Sequence, residues 1–357
     1  MKNENQYQTF VYVVAESDCD LVLQKMLACQ GKASIIEWRL DQLTTLDFCT
    51  IQSIIKTIDF PIMLTLRPQA QGGFFKGSIA LRQQYLQKLA GFSPAFMDVE
   101  YDLENVWVDQ LSALYPNIKL VRSWHDCVGE GEDLDDRFQS MQHPAVSIYK
   151  LITRANSPLE ALRMAHWLKT KVKTHKVIGH CMGQFSLLSR LLGAILGSYW
   201  QYRSDFDDAK LDSMFNTTLH GVGVPNSSDV EWYGLARLNS ETKLYALIGN
   251  PVHQSIGDQF HNNYFRQHKL NAVYVKILLR DHEVKKFFEL LPGLPFTGFS
   301  VTMPLKQKVI TCMEGLSKDA QDIGAVNTVV CHGDDNAMRT MVGHNTDGIG
   351  ALRAIQS

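Results

Sequence analysis

A lysine stands in the middle of an apolar run at residues 145–155, AVSIYKLITRA. Val146, Ile148, Leu151 and Ile152 make the run a buried strand, and Ser157-Pro158 follows it. An ammonium taken out of water without a partner is costly, and such a group escapes by giving up its proton. The amine that results attacks carbonyls. The structural alternative for Lys150 is a strand-end side chain that reaches water or pairs with a carboxylate. Further chemical groups recur around it along the chain. Glu37, Arg39 and Asp41 alternate in EWRLD and so share one face of a strand. Arg67 precedes a flexible Gly72-Gly73 loop, Asp98 alternates with Glu100, and Ser123 alternates with His125. Ser189 and Arg190 come early in the segment after a later strand. Amine, imidazole, carboxylate and guanidinium at the same end of successive strands are far more than chance alone would gather.

The elements that must position these groups alternate with a regular beat. Apolar strand-like runs fall at 9–16, 33–43, 61–68, 95–102, 118–126, 146–155, 175–183 and 199–204. Helical spacing falls between them, at 20–30, 48–58, 80–92, 105–115, 133–142, 158–172 and 185–197. The sixth of these helices is signalled by Ser157 as N-cap, Pro158 at the first position and Glu160 closing a capping box. Near-continuous apolar strands imply a parallel sheet covered by helices. Eight such units in about 200 residues predict a TIM (β/α)8 barrel. A doubly wound open sheet is the alternative, but no glycine-rich phosphate loop follows the first strand.

With 357 residues the chain exceeds one ordinary core, which predicts two α/β domains. A net charge of −2 gives no reason to expect nucleic acid or an anionic membrane surface as partner. No apolar run approaches the roughly 18 residues of a membrane span. The N-terminus, MKNENQYQTF, has neither a secretory apolar region nor an Arg/Ser-rich transit segment. Seven scattered cysteines without C-x-x-C argue against a zinc site and fit a reducing compartment, so a cytoplasmic location is expected.

Taken together, EWRLD (37–41), TLR…GG (65–73), MDVE (97–100), SWHD (123–126), YKL (149–151) and SLLSRLLGAILGS (186–198) resemble type I 3-dehydroquinate dehydratase. The resemblance implies a Schiff-base lyase. Lys150 would attack the C3 ketone of 3-dehydroquinate, and His125 would act as general base and acid. Glu37 and Arg39 would hold substrate hydroxyls, Arg67 would help hold the substrate, and Arg190 would face its carboxylate. No metal or cofactor is implied, because the protonated imine supplies the electrophilic pull. Two departures stand out. Gln71 occupies a position before Gly72-Gly73 where the family usually has a glutamate that can orient the histidine. Ala209 and Ser213 replace the serine and glutamine of the family's lid.

A turn-rich stretch at 216–240 reads as a linker, so 1–215 is the expected barrel and 241–357 the second domain. In the latter, strands are expected at 243–252, 272–279, 296–304, 324–334 and 338–347, with a helix over 306–316. GNPVHQS (249–255), SVTMPLK (300–306), GAVNT (324–328) and HNTDGIG (344–350) resemble the substrate-binding domain of shikimate dehydrogenase. This implies Lys306 and Asp347 as a proton-relay pair, with Ser255, Thr302 and Asn327 hydrogen-bonding shikimate. Gly257 stands where the family often has a second serine. NADP is the cofactor expected of a complete dehydrogenase, and no glycine-rich turn for it follows Lys306. The expected partners are therefore small molecules, 3-dehydroquinate and 3-dehydroshikimate or shikimate, and a homodimer is compatible with them. The competing readings are a degenerate barrel that only binds ligand and another Schiff-base barrel of the class I aldolase kind.

Overall fold

The structure, a computed structural model, describes residues 8–29, 34–127, 129, 133–204, 224–333 and 340–356. The first eight strands are β1 (Phe10–Val14), β2 (Ile35–Arg39), β3 (Ile62–Thr65), β4 (Phe96–Glu100), β5 (Lys119–His125), β6 (Val146–Arg154), β7 (Val177–Met182) and β8 (Gln201–Arg203). They pair in parallel in the order β7-β6-β5-β4-β3-β2-β1-β8. The Tyr199 amide, just before β8, donates to the Val177 carbonyl at the start of β7 at 2.8 Å and draws the two edges together. Seven helices follow the strands in turn: α1 (Cys19–Ala28), α2 (Phe48–Thr57), α3 (Ile79–Ala90), α4 (Asn105–Leu114), α5 (Leu134–Met141), α6 (Pro158–Lys171) and α7 (Ser186–Leu196). The expected (β/α)8 barrel is the fold, and the capping box of α6 forms as its sequence implies.

Strand alternation sorts the inward side chains into tiers. Val11, Ile35, Met63, Phe96, Val121, Ile148 and Ile178 pack together as an apolar floor with Trp200 and Tyr202. Two residues further along each strand come Val13, Glu37, Thr65, Asp98, Ser123, Lys150 and His180. One bulge matters here. The β5–β6 register shifts between Leu120 and Val121, which sets Ser123 opposite Lys150 and His125 opposite Ile152.

The remaining strands are β9 (Lys243–Gly249), β10 (Ala272–Leu278), β11 (Phe296–Val301), β12 (Gly315–Leu316), β13 (Thr328–His332) and β14 (Thr340–His344), in the order β10-β9-β11-β13-β14-β12. β9, β10 and β11 are parallel, whereas β13 runs antiparallel to β11 and β14. Helices α8 (Ser227–Trp232), α9 (Gly257–Gln267), α10 (Val284–Glu289), α11 (Lys318–Ile323) and α12 (Asp347–Gln356) complete the described elements. One stretch holds more structure than its turn-rich sequence suggests, and one expectation needs correction. The stretch read as linker carries α8, capped by Asn226, with Val230, Tyr233, Leu235 and Leu238 buried. The helix expected over 306–316 is a short 3-10 turn at Lys308–Cys312 followed by β12. Val309-Ile310-Thr311 puts three β-branched residues in a row, which disfavours a longer helix.

Candidate active site

The polar tier opens into a cavity of about 80 Å³ lined by Glu37, Arg39, Arg67, His125, Lys150, His180, Arg190 and Tyr202, among others. Every one of these is buried. Lys150 is 2% exposed, but it is not a lone ammonium. Its Nζ donates to Asp98 Oδ2 at 2.5 Å and lies 3.7 Å from Glu37 Oε1. Asp98 also accepts from the Ser123 hydroxyl, and Glu37 accepts from Thr65 at 2.8 Å. The pairing half of the structural alternative for this lysine is therefore met, together with burial in a cavity. Asp98 was visible only as one of an alternating pair, since the register that makes it the partner of Lys150 lies outside local sequence.

Arg67 organises the acidic wall. Its Nε donates to Glu100 at 2.8 Å, and its Nη2 lies 3.4 Å from Asp98 and 3.5 Å from Glu37. These carboxylates hold the guanidinium well above its ordinary range against the cost of burial. Arg39 is held by Asp41 through two hydrogen bonds of 2.8 and 2.7 Å, and Asp41 also accepts from the Phe74 amide at 3.1 Å. The Gly-Gly loop folds back onto strand three, and a Cβ at Gly73 would sit 2.1 Å from the Arg67 carbonyl oxygen, so that position is closed to other residues.

Burial first, and then the nearby Arg67 and Lys150 cations, push His125 well below the usual imidazole range. The ring is neutral at pH 7 and can accept a proton. Its Nδ1 lies 3.6 Å from Glu100 Oε2, beyond hydrogen-bond reach. Gln71 does not touch the ring; its Oε1 accepts from the His125 backbone amide at 2.8 Å. The carboxylate beside the imidazole thus comes from β4.

Arg190 behaves differently from the other cations. It is 1% exposed, its Nε and Nη1 have no hydrogen-bond partner among the described residues, and no carboxylate lies within ion-pair distance of it there. Burial brings its pKa down to about 9. His180 and Tyr202 line the same wall, and the sequence reading named neither. Both lie on the inward face: His180 two positions beyond floor residue Ile178, Tyr202 in the floor itself. Tyr202 is pushed well above its ordinary value by burial. The lid positions Ala209 and Ser213 lie outside the described residues.

In the second domain, Lys306 Nζ donates to Asp347 Oδ2 at 2.6 Å, and the Asn327 amide donates to Asp347 Oδ1 at 2.7 Å. The lysine hydrogen bond is the main cause that holds Asp347 below its ordinary range. The pair is open to water, with side chains 33% and 56% exposed. Ser255 accepts from the Gly257 amide at 3.1 Å, and the Thr302 amide donates to the Ile248 carbonyl at 3.0 Å. The structure therefore joins three of the five expected residues directly and sets Ser255 and Thr302 in the loops after β9 and β11. A Cβ at Gly249 would come 2.2 Å from Thr302 Cγ2. That face of the β9 turn is filled and residues 250–256 contain no glycine, so this turn does not fit the glycine-rich cradle of a dinucleotide pyrophosphate.

Fold and site together define a parallel barrel with a buried lysine and a neutral imidazole on adjacent strands, joined to a mixed-sheet domain. The chain belongs to the type I 3-dehydroquinase family, whose model matches residues 9–211. Residues 247–329 match the shikimate dehydrogenase substrate binding domain; Asp347 lies beyond that match. The shikimate biosynthesis protein AroDE of Chlamydia pneumoniae is 30% identical over 333 residues, 93% of this chain and 65% of that protein. The chloroplastic bifunctional 3-dehydroquinate dehydratase/shikimate dehydrogenase of Arabidopsis thaliana is 30% identical over 352 residues, 96% of this chain and 55% of that protein. The solved dehydroquinate dehydratase and shikimate dehydrogenase of S. pombe AroM shares the fold, with a TM-score of 0.53 and 20% identity over 98% of this chain and 67% of that one. The chain thus has the architecture of a dehydroquinase domain joined to a shikimate dehydrogenase substrate-binding domain, and it spans 65% and 55% of the two curated relatives.

Proposed function

We propose that the barrel dehydrates 3-dehydroquinate to 3-dehydroshikimate through an imine on Lys150. The observation that carries this is the buried amine set between Asp98 and Glu37 and beside a neutral His125. Lys150 passes a proton to Asp98, and its Nζ adds to the C3 ketone carbon. Loss of the ketone oxygen as water leaves a protonated imine. His125 takes the C2 proton, whose electron pair moves toward the iminium. The electrons return to form the C1–C2 double bond as the C1 hydroxyl leaves with the proton from His125. Water then releases the product from Lys150. Glu37 and Arg39 hold ring hydroxyls, and Arg67 fixes the carboxylates around the amine. Arg190, charged and unpartnered, receives the substrate carboxylate through its free Nε and Nη1 donors.

In the same reading, 216–240 divides the chain, and the second domain binds 3-dehydroshikimate or shikimate at Lys306, Asp347, Asn327, Thr302 and Ser255. The β9 turn does not fit a dinucleotide pyrophosphate, and the reading assigns this domain no hydride step. Seven free thiols favour a reducing compartment such as the cytoplasm. Among the described residues no helix is long and apolar enough to cross a membrane.

Borohydride reduction in the presence of 3-dehydroquinate tests the central claim. It should add the mass of the reduced ligand at Lys150 alone. An adduct elsewhere, or none while turnover proceeds, would refute the imine.

A further inference from the structure

The cavity is charge-partitioned. Glu37 is the carboxylate on its lining, and Asp41, Asp98 and Glu100 stand behind it, all from β2, β4 and the turn after β2. There they are paired with Arg39, Arg67 and Lys150. The wall formed by β7, α7 and β8 has no carboxylate among its cavity-lining residues and presents His180, Arg190 and Tyr202. A ligand carboxylate is therefore drawn to this wall, opposite the acidic one. His180 is 7% exposed, and no hydrogen-bond partner is found for either ring nitrogen among the described residues. Its ring centroid lies 6.0 Å from that of Tyr202, and after burial the Arg190 cation is the strongest influence on its charge. It lies on the strand next to that of the amine, opposite Ile152 and two residues beyond Ile178, the register partner of Lys150. A neutral imidazole has one N–H to give, and because neither His180 ring nitrogen is sealed off from the cavity it lines, that donor is open to a ligand.

We propose that His180 is a substrate-binding residue that donates its ring N–H to the ligand carboxylate held by Arg190. The imidazole and guanidinium then grip one carboxylate from two strands, and this fixes how the ring is turned relative to Lys150. The inference rests on the dehydratase reading for the identity of the ligand. It adds a specificity contact from a residue that carries no part of the imine chemistry.

The test uses two probes on the intact chain. Quinate keeps the carboxylate and ring hydroxyls of 3-dehydroquinate but has no ketone, so its binding reports the carboxylate grip without chemistry. 3-Dehydroquinate turnover gives KM and kcat. His180→Leu should weaken quinate about tenfold or more, the scale of one hydrogen bond to a charged group. It should raise KM for 3-dehydroquinate by a similar factor, with a several-fold smaller effect on kcat. His180→Gln, which can still donate, should recover most of the binding. Equal quinate affinity in wild type and His180→Leu would overturn the proposal. So would a loss that His180→Gln fails to restore, since that outcome assigns His180 to the shape of the wall. If quinate binding depends on His180 while wild type does not dehydrate 3-dehydroquinate, the carboxylate contact stands and the dehydratase reading fails. If turnover is normal and indifferent to both substitutions, the reverse holds. If wild type neither binds quinate nor turns over 3-dehydroquinate, both fail.

Discussion

Arg190→Met should make the protein more stable and its cavity worse at binding. Most substitutions at a fully buried position destabilise, so the sign is a sharp test. Arg190 is 1% exposed, with two donor nitrogens unmatched. Leaving buried polar groups unmatched costs about 1–3 kcal/mol. Its fall from the ordinary guanidinium range to about 9 sets a ceiling of several kcal/mol, at about 1.4 kcal/mol per factor of ten in protonation. Methionine keeps most of the stem's volume, so the cavity term stays small. A gain of about 1–3 kcal/mol is expected, which raises the barrel's melting midpoint by roughly 2–10 °C. The cost falls on the ligand. Removing one partner of a buried charge pair costs about 2–5 kcal/mol, so KM for 3-dehydroquinate should rise between roughly 30-fold and several thousand-fold.

The pH dependence gives an independent sign. The native state releases the Arg190 proton more readily than the unfolded chain does. From about pH 9 upward the unfolded state therefore binds more protons, and wild-type stability gains a rising component. Arg190→Met lacks that component, so its stability advantage should be full at pH 7 and shrink as pH passes 9. Denaturant titrations at pH 7 and at about pH 10 would measure both. A variant destabilised by more than about 1 kcal/mol, or an advantage that stays constant across those conditions, would refute the claim that this cation waits unpaired.

Lys150→Met should abolish the borohydride adduct and lower stability by about 3 kcal/mol in a denaturant titration, because Asp98 and Glu37 lose a buried cation. His125→Gln should lower kcat by roughly 10²–10⁴-fold. Because burial holds His125 below 6.5, the acid limb of the wild-type kcat/KM profile should fall below pH 6.5. Lys306→Met should change stability by less than about 1 kcal/mol, since the pair it breaks is water-exposed, while weakening shikimate in a direct titration. Gly249→Ala should cost more than about 1 kcal/mol by thermal melting, because its Cβ would overlap Thr302 Cγ2.

The barrel was legible because its strands are apolar on both faces and its helices announce their starts, as Ser157-Pro158 does. Lys150, His125, Glu37 and Arg67 were legible because a charged or titratable group inside an apolar strand is conspicuous. The pairing between them was not. Asp98 and Lys150 lie on strands separated by β5, and a bulge in the β5–β6 ladder sets which residue faces which. No local pattern carries that. His180 follows the same two-residue period from Ile178, yet a single imidazole between Gly179 and Cys181 carried no motif. In the second domain the helix expected over 306–316 failed because helical spacing outweighed three adjacent β-branched residues. Gln71 was singled out as a departure beside the histidine, and its contact is with the His125 backbone amide.

The carboxylates around Lys150 bear on how an amine held as an ammonium can still serve as a nucleophile. Asp98 and Glu37 stabilise a positive charge at Nζ in the resting site. The protonated imine carries its positive charge at the same atom. In the proposed reaction the same two carboxylates would therefore stabilise the intermediate from which the C2 proton is lost, with no rearrangement of the site. Only the neutral amine, present while the bond forms, is unmatched, and Asp98 at 2.5 Å can take its proton and return it. His125 faces the opposite constraint. Burial, and then Arg67 and Lys150, disfavour a proton on its ring, so in the proposed reaction the imidazolium formed on taking the C2 proton would be poised to protonate the leaving hydroxyl. Glu100, 3.6 Å from Nδ1, is close enough to offset part of that repulsion and too far to hold the resting ring. In that reaction the acidic wall would keep charge fixed at the imine while the proton moves, and the unpaired Arg190 wall would be left to position the ligand.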